Sequence, residues 1–544
     1  MGPKVSCMIS APSRRTLLAG ALAGLTVPAA ASPAQAALVS RPNFLIILAD
    51  DLGWGEIGAN GQRKIATPAI DRLAAEGVRF DAAYAGAPLC APSRCALLTG
   101  LHTGHTTVRD NPAGAPQRSL TENDLTFAEL LQLSGYRTAC IGKWGFGPEL
   151  PGQPSHPNQR GFDEFFGYIT HRHAHQYFPA YLWRNGAKVP VRGAYAPDLF
   201  LKQAIDFIKR PSDKPFLLFF PTNLPHAPSE VPGNAGRYKD KPWTRPNRRH
   251  AAQVARLDMH VGKLVEALRE AGVARDTIVL FMSDNGPHHE KGVTPGLFDS
   301  NGPYRSGKRS LYEGGIRVPL IAWSPGLRHR VEKRPVAFWD LLPTLADLAG
   351  VPAPDGLDGR SFRGMLHGGD GPDREFLVWN RPGKGQAIRR GRWKAIRFEP
   401  GAAGAGPEGR IELYDLENDA RERTDLAAER PDMVTELMDL LDQSIGEDPR
   451  RPYGLRLKAA GDQVTVTLVN GSGVTWHRVR LALTLPRGRR LTSRREVAQL
   501  RPGEEVSATF RVPVRGLVTG QASFRTGKRR HTFRKARFHQ RSLA

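Results

Sequence analysis

At 544 residues, 40% of them hydrophobic and 24% charged, the chain is long enough for a large core and, at about 150 residues per domain, for about three units. Its formal net charge is +24, yet twenty Lys and Arg against four Asp and Glu lie between Pro452 and Ala544; the basic excess belongs to the tail, and no nucleic-acid partner is expected. Of only four cysteines, Cys7 lies in an N-terminal leader, and Cys90, Cys95 and Cys140 cannot all pair with one another, which argues against a disulfide framework.

The leader contains "SRRTLLAGALAGLTVPAAASPAQA": Arg14 and Arg15, an apolar run from Leu17 to Ala31, then Ala34-Gln35-Ala36. This reads as a twin-arginine export signal over residues 1–36. The run is too short and too rich in Ala and Gly for a transmembrane anchor, and no other segment could span a bilayer. The expectation is a bacterial protein exported in folded form, periplasmic or secreted.

From Asn43 short apolar runs alternate with amphipathic helical stretches, the pattern of an α/β domain with a largely parallel sheet, placed at 37–372. "NFLIILADD" reads as a buried strand ending in two acids, "YRTACIGK" as a strand ending in lysine, and "FLLFFPTNLPH" as a strand leading to a histidine. A helix from Ala251 to Ala271 leads into a fourth strand, "TIVLFMSDNG". Ligands of open α/β sheets lie off the carboxyl ends of the strands, so Asp50, Asp51, Lys143, His226, Asp284 and Asn285 are expected to converge. Residues 373–451 read as a smaller antiparallel sheet followed by the helix "PDMVTELMDLLDQS". Residues 452–544 read as short alternating strands between turns, a separate basic β-sandwich.

Asp50-Asp51 and Asp284-Asn285 offer hard oxygen ligands from two strand ends, the set that Ca²⁺ or Mg²⁺ prefers and zinc or copper does not. In "PLCAPSRCALLTG", Pro92 suits a first helical turn and puts Cys90 near a helix N-terminus, where amides and dipole favour negative charge. A thiol there is activated or modified; a buried structural cysteine is the alternative. Arg94 adds a fixed cation suited to a tetrahedral anion.

The stretch "PLCAPSRCALLTG" resembles the signature of the sulfatase family, Cys-x-Pro-Ser-Arg with a following Thr-Gly. The similarity continues through "NFLIILADDLGWGEIG", "TPAIDRLAAEGVRF", "GYRTACIGKWG", "GFDEFFGY", "PHAP", "SDNG" and "GKRSLYEGGIRVP", from about Arg41 to Gln443. It implies an alkaline-phosphatase-like α/β fold, an arylsulfatase-like activity, and oxidation of Cys90 to Cα-formylglycine by a formylglycine-generating enzyme. It further implies one divalent cation, Ca²⁺ or Mg²⁺, on Asp50, Asp51, Asp284, Asn285 and modified Cys90. Arg94 would hold the formylglycine, Lys143 and Lys308 would grip sulfate oxygens, and His226 would contact sulfate or protonate the leaving oxygen. In the implied chemistry a hydrated aldehyde attacks sulfur in line beside the cation, and its second hydroxyl, once deprotonated, expels sulfate.

One position departs from the family pattern: where Gly-Lys-Trp-His is common, "GKWGFG" has Gly145. That histidine is associated with deprotonating the second hydroxyl, so His226, His102 and His105 are candidates for the base. His171, His173 and His175, in "THRHAHQYFP", read as pocket wall and sulfated-sugar contacts, with a solvated loop as the alternative. The expected activity is a sulfuric ester hydrolase acting on a sulfated carbohydrate or aryl sulfate. A phosphonate monoester or phosphodiester hydrolase of the same superfamily, or a non-catalytic polyanion-binding protein, are the alternatives.

Overall fold

The computed structural model describes residues 41–445 and 454–539, apart from 112–116, 123, 355, 403–408, 461, 471–474, 486–488, 493–495, 502–503, 513–515 and 527–528. The export signal expected over 1–36, with Cys7, lies outside the described residues.

The strands of the large unit are β1 (Asn43–Ala49), β2 (Val78–Phe80), β3 (Ala83–Tyr84), β4 (Arg137–Lys143), β5 (Glu164–Tyr168), β6 (Tyr181–Arg184), β7 (Ala187–Pro190), β8 (Phe216–Pro221), β9 (Thr277–Ser283), β10 (Leu320–Trp323) and β11 (Arg330–Glu332). All but β3 join one ten-stranded sheet in the order β11-β2-β10-β9-β1-β8-β4-β5-β6-β7. The central run from β9 through β1, β8 and β4 to β5 is parallel, and antiparallel pairings appear toward the two edges. Parallel strands covered on both faces are apolar throughout, which is why "NFLIILA" in the centre is entirely buried.

Alternate residues of β1 serve opposite faces. Phe44, Ile46 and Leu48 pack with α2 (Cys90–Thr99) and α3 (Phe127–Leu133), while Leu45 and Ile47 pack with α1 (Pro68–Glu76), α5 (Ala196–Lys209) and α6 (Arg245–Glu270). A short α4 (His171–Ala174) follows β5. Each such side chain, fully buried, contributes about 1.5–3 kcal/mol. Helix α6 starts six residues before the apolar periodicity does, because its polar first turn, "RPNRRH", carries Pro246 where a proline's missing N–H costs nothing.

A four-stranded antiparallel sheet follows, β13 (Leu377–Arg381), β14 (Gly385–Arg390), β15 (Trp393–Phe398) and β16 (Arg410–Asp415), after the two-residue β12 (Val336–Ala337) that pairs with β3. Its inner face joins the large unit: Trp379 packs on Tyr84 and Trp339 and donates to Ala85 O at 2.9 Å. Buried Lys394 bridges Glu313 and Glu422 at 2.9 and 2.8 Å. The outer face takes Leu437 and Leu441 of the helix Pro431–Ser444.

The tail forms two antiparallel sheets. One holds β17 (Gly454–Ala460), β18 (Gln463–Val469) and β22 (Glu505–Arg511); the other holds β19 (Trp476–Thr484), β20 (Arg490–Thr492), β21 (Val497–Leu500), β23 (Gly516–Thr526) and β24 (Arg529–His539). Leu457, Val464, Val466, Leu481, Val518 and a stacked Trp476–Phe524 pair at 4.0 Å form a core of their own, the filling of a sandwich. No helix among the described residues is long and apolar enough to cross a membrane.

Candidate active site

Because β1, β8, β9 and β4 run parallel, their carboxyl ends meet on one edge of the sheet. Asp50 and Asp51 follow β1, Lys143 ends β4, His226 lies in the loop after β8, and Asp284-Asn285 follow β9. Asp51 takes the left-handed conformation (φ 66°), which Asp tolerates better than most residues. There its amide donates to Asp284 Oδ1 at 3.1 Å, and the Leu52 amide donates to Ser283 Oγ at 2.9 Å. Helix α2 enters from below with Cys90 as its first residue. The segment bearing Lys308 is tied beside it by the Arg309 amide, which donates to Pro88 O at 2.8 Å. The hydroxyl of Tyr177 lies 2.6 Å from both Asn223 O and His226 O and anchors the histidine loop.

Three carboxylates and three cations interlock in this buried cluster. Lys143 Nζ donates to Asp50 Oδ2 at 2.6 Å, and Arg94 lies 3.5 Å from the other oxygen of Asp50. Arg94 Nε and Nη2 both reach Asp284 Oδ2, at 3.0 and 2.9 Å, while Nη1 donates to Lys143 O. Lys308 Nζ donates to Asp51 Oδ2 at 2.6 Å and lies 3.0 Å from His226 Nε2. Asp51 Oδ1 accepts from Asn285 Nδ2 at 2.7 Å and lies 3.7 Å from Cys90 Sγ. Removing this many ions from water costs several kcal/mol each, only partly offset by pairing. Such a cluster is built for a ligand more than for stability.

Burial opposes ionisation of Asp50 and Asp51, but Lys143 and His226 at Asp50, and Lys308 and His226 at Asp51, hold both well below the usual carboxylate range. Asp284 goes the other way, pushed up to about 7 by burial and then by the Asp50 charge, with Arg94 opposing. Three acids this close do not all ionise without further positive charge. Asp50 Oδ1 and Asn285 Oδ1 are buried with no hydrogen-bond partner. Ligand atoms of Asp50, Asp51, Cys90 and His226 lie within 4.8 Å of one another. Hard oxygens that accept no hydrogen bond fit a divalent cation such as Ca²⁺ or Mg²⁺.

Burial, then the Asp284 charge, push the pKa of the Cys90 thiol well above the ordinary value, outweighing the helix N-terminus that the sequence reading relied on. Cys95 and Cys140 are also free and buried.

The histidines divide. His175 stacks on His226 with ring centroids 4.8 Å apart, and burial holds its pKa at about 4. His171 is buried beside Gly145. His173 stands between Tyr168 and Tyr181, at 4.8 and 4.5 Å, with Glu149 at 3.5 Å; none of these neighbours belongs to the charge cluster. His102 and His105 turn to Asp358, at 3.7 and 2.9 Å. They follow α2, whose ten residues span about 15 Å, so the helix that presents Cys90 at one end carries them away at the other. Among the expected bases, the cluster holds only His226. Glu290, which lies 3.6 Å from Lys308 and 2.7 Å from Arg309, was missed; the acid in "SDNGPHHE" was its only trace in the sequence.

Residues 42–351 match the family model described as Sulfatase, and residues 304–447 match that of the N-sulphoglucosamine sulphohydrolase C-terminal region. The chain is 32% identical to the steryl-sulfatase of Mus musculus over 83% of its own length and 88% of that protein. It is 34% identical to the N-acetylgalactosamine-6-sulfatase of Homo sapiens, covering 62% of this chain and 68% of that protein. Among solved structures it resembles Ps i-CgsB in complex with k-i-k-neocarrahexaose, at 29% identity and a TM-score of 0.67, covering 75% of this chain and 94% of that one.

Proposed function

Because this chain belongs to the sulfatase family and is a sulfuric ester hydrolase, we propose that it releases inorganic sulfate from a sulfated carbohydrate, using formylglycine made from Cys90 and one Ca²⁺ or Mg²⁺. The observation that carries this reading is the single buried cluster in which Cys90 meets Asp50, Asp51, Asp284, Asn285, Arg94, Lys143 and Lys308. Maturation would require a formylglycine-generating enzyme, and export through the Arg14-Arg15 signal would place the enzyme in the periplasm or outside the cell.

The modified Cys90 would supply an oxygen nucleophile and the cation would lower its pKa and draw charge from the sulfate. Asp50, Asp51, Asp284 and Asn285 would hold the cation. The side chains that grip sulfate are Lys143 and Lys308, which now rest on Asp50 and Asp51. When they turn to sulfate oxygens, the acids they leave need the cation as counter-charge, so metal and substrate sites depend on each other. Arg94, fixed by two bonds to Asp284, orients the Cys90 side chain. His226 Nδ1 bonds to Ala227 O, which leaves Nε2 toward Lys308; Nε2 and Lys308 Nζ form a pair that can hold and pass a proton to the departing alcohol oxygen.

A carbohydrate substrate is supported by relatives named for N-acetylgalactosamine 6-sulfate and by the similarity to a protein crystallised with a neocarrahexaose. The test is a screen of purified protein against sulfated monosaccharides and an aryl sulfate, read as sulfate release, alongside mass spectrometry of the tryptic Cys90 peptide. Release from a sulfated sugar with the thiol lost from that peptide is the expected result. Full activity with an intact Cys90 thiol would remove the nucleophile, and activity on the aryl sulfate alone would remove the sugar.

A further inference from the structure

Gly145 follows β4 by two residues in the left-handed region (φ 91°), and a Cβ there would lie 3.2 Å from His171 Cε1 and 3.3 Å from Arg94 Cδ. The His171 ring therefore occupies the space a side chain at 145 would need, against the stem of the arginine that holds Asp284. The placement is built by the parallel neighbours β4 and β5. Trp144 N donates to Tyr168 O at 2.8 Å and Gly145 N to Ile169 O at 3.0 Å, so the two loops leave the sheet edge side by side. Gln117 then staples them, donating from Nε2 to Gly145 O at 3.0 Å and accepting from the His171 amide at 3.0 Å. His171 is only 6% exposed, and its Nε2 has no hydrogen-bond partner. A buried imidazole nitrogen left unpartnered is costly, and a ligand would offset that cost.

We propose that His171 is a further catalytic residue, which accepts a proton at Nε2 as sulfate leaves the modified Cys90 side chain, and that Gly145 makes room for it. The side chain's O–H bond breaks and the proton joins the Nε2 lone pair. The oxygen's electron pair closes the carbonyl, and the C–O bond to sulfate breaks with its pair going to sulfate. The proton passes to water after product release. This inference rests on the reading of the site as a sulfatase centre. The charged and titratable groups whose fields reach His171 are Lys143 on β4, Arg94 on α2, Asp50 after β1 and His226 after β8. Burial, then the charges of Lys143 and Arg94, hold the ring neutral. An anionic ester that neutralises those cations raises its proton affinity at the moment a base is needed.

The test combines histidine ¹⁵N NMR with kinetics. In the wild-type metal-loaded protein, inorganic sulfate should shift the His171 ring nitrogens, assigned by their loss in His171→Gln, together with those of His226, and should raise the His171 pKa. His171→Ala should lower kcat about 10²–10⁴-fold and lower KM with it, because slowed breakdown lets the sulfated enzyme accumulate, and added imidazole should restore part of the rate by filling the vacated space. Sulfate that perturbs His226 but leaves His171 unmoved, or a His171→Ala enzyme of near-normal kcat, overturns the proposal while sparing the sulfatase reading. A wild-type protein in which sulfate moves neither histidine, and which releases no sulfate from any ester, overturns both.

Discussion

The catalytic edge of the large sheet and the sandwich of the tail both carry many charged side chains, and they place them differently. At the edge, Asp50, Asp51, Arg94, Lys143, Asp284 and Lys308 are all buried, each within 3.5 Å of an opposite charge. In the tail, alternation puts apolar residues such as Val464, Val466 and Leu481 inside and leaves Arg478, Arg480, Arg501 and Arg525 exposed. Its ion pairs, such as Arg511–Asp462 at 2.6 Å with the arginine side chain 82% exposed, are of the kind that contribute about 0–1 kcal/mol. Net charge, the loudest feature of the composition, thus comes mostly from a region with no buried charge cluster among its described residues, while the chemistry sits where charges nearly cancel.

The sharpest way to break this contrast is to remove one member of the buried set. Asp284→Ala takes away a cation ligand and the partner of Arg94, and should lower sulfate-ester turnover by at least about 10³-fold. Circular dichroism should still report a folded protein, since the two cores flanking the sheet are untouched. An enzyme of ordinary activity would show that the cluster is structural.

Removal of the cation should have a smaller, pH-dependent effect on stability. In the metal-free protein Asp284 has its pKa raised to about 7 by burial and the neighbouring Asp50. The folded state then keeps a proton that the unfolded chain releases near pH 4. Stability contributed by this group is therefore lost as pH rises from about 4 to about 7. Glu129 and Glu422, each raised to about 7 mainly by burial, slope the same way, so the informative quantity is the difference between wild type and Asp284→Asn. Urea midpoints in chelator should fall less steeply with pH in the variant, and Ca²⁺ should restore the wild type at neutral pH. Parallel slopes would place the raised acid elsewhere.

The converging strand ends were legible because a parallel sheet obliges its carboxyl ends to share an edge: Asp50, Asp51, Lys143, His226, Asp284 and Asn285 follow from strand pattern alone. Arg94, Lys308 and Cys90 needed the motif, since nothing in periodicity brings residue 308 to residue 51. The pairing of Gly145 with His171 was illegible for a different reason. It depends on two loops from neighbouring strands and on Gln117 between them, three segments whose spacing along the chain carries no trace of contact. His102 and His105 misled because nearness in sequence to Cys90 was taken for nearness in space, with a whole helix between. The start of α6 was missed because a polar first turn has no apolar period to read.

Deleting the tail sharpens the comparison from its other side and should have the smallest effect on chemistry. The tail has its own core around Trp476 and Phe524, and the family matches end at residue 447, so the sandwich lies outside the segment that carries every residue of the cluster. A protein ending at Ile445 should hydrolyse a small aryl sulfate within about threefold of the full chain, the range of surface changes remote from a site. Binding to a sulfated polymer should weaken and lose much of its salt dependence, because exposed cations act at a range of about 10 Å at 0.1 M salt and are screened beyond it. Two results would overturn this. A truncated protein that fails to fold would make the sandwich part of the catalytic unit, and unchanged, still salt-sensitive polymer binding would locate the polyanion surface on the sulfatase domain itself, despite its near-balanced charge.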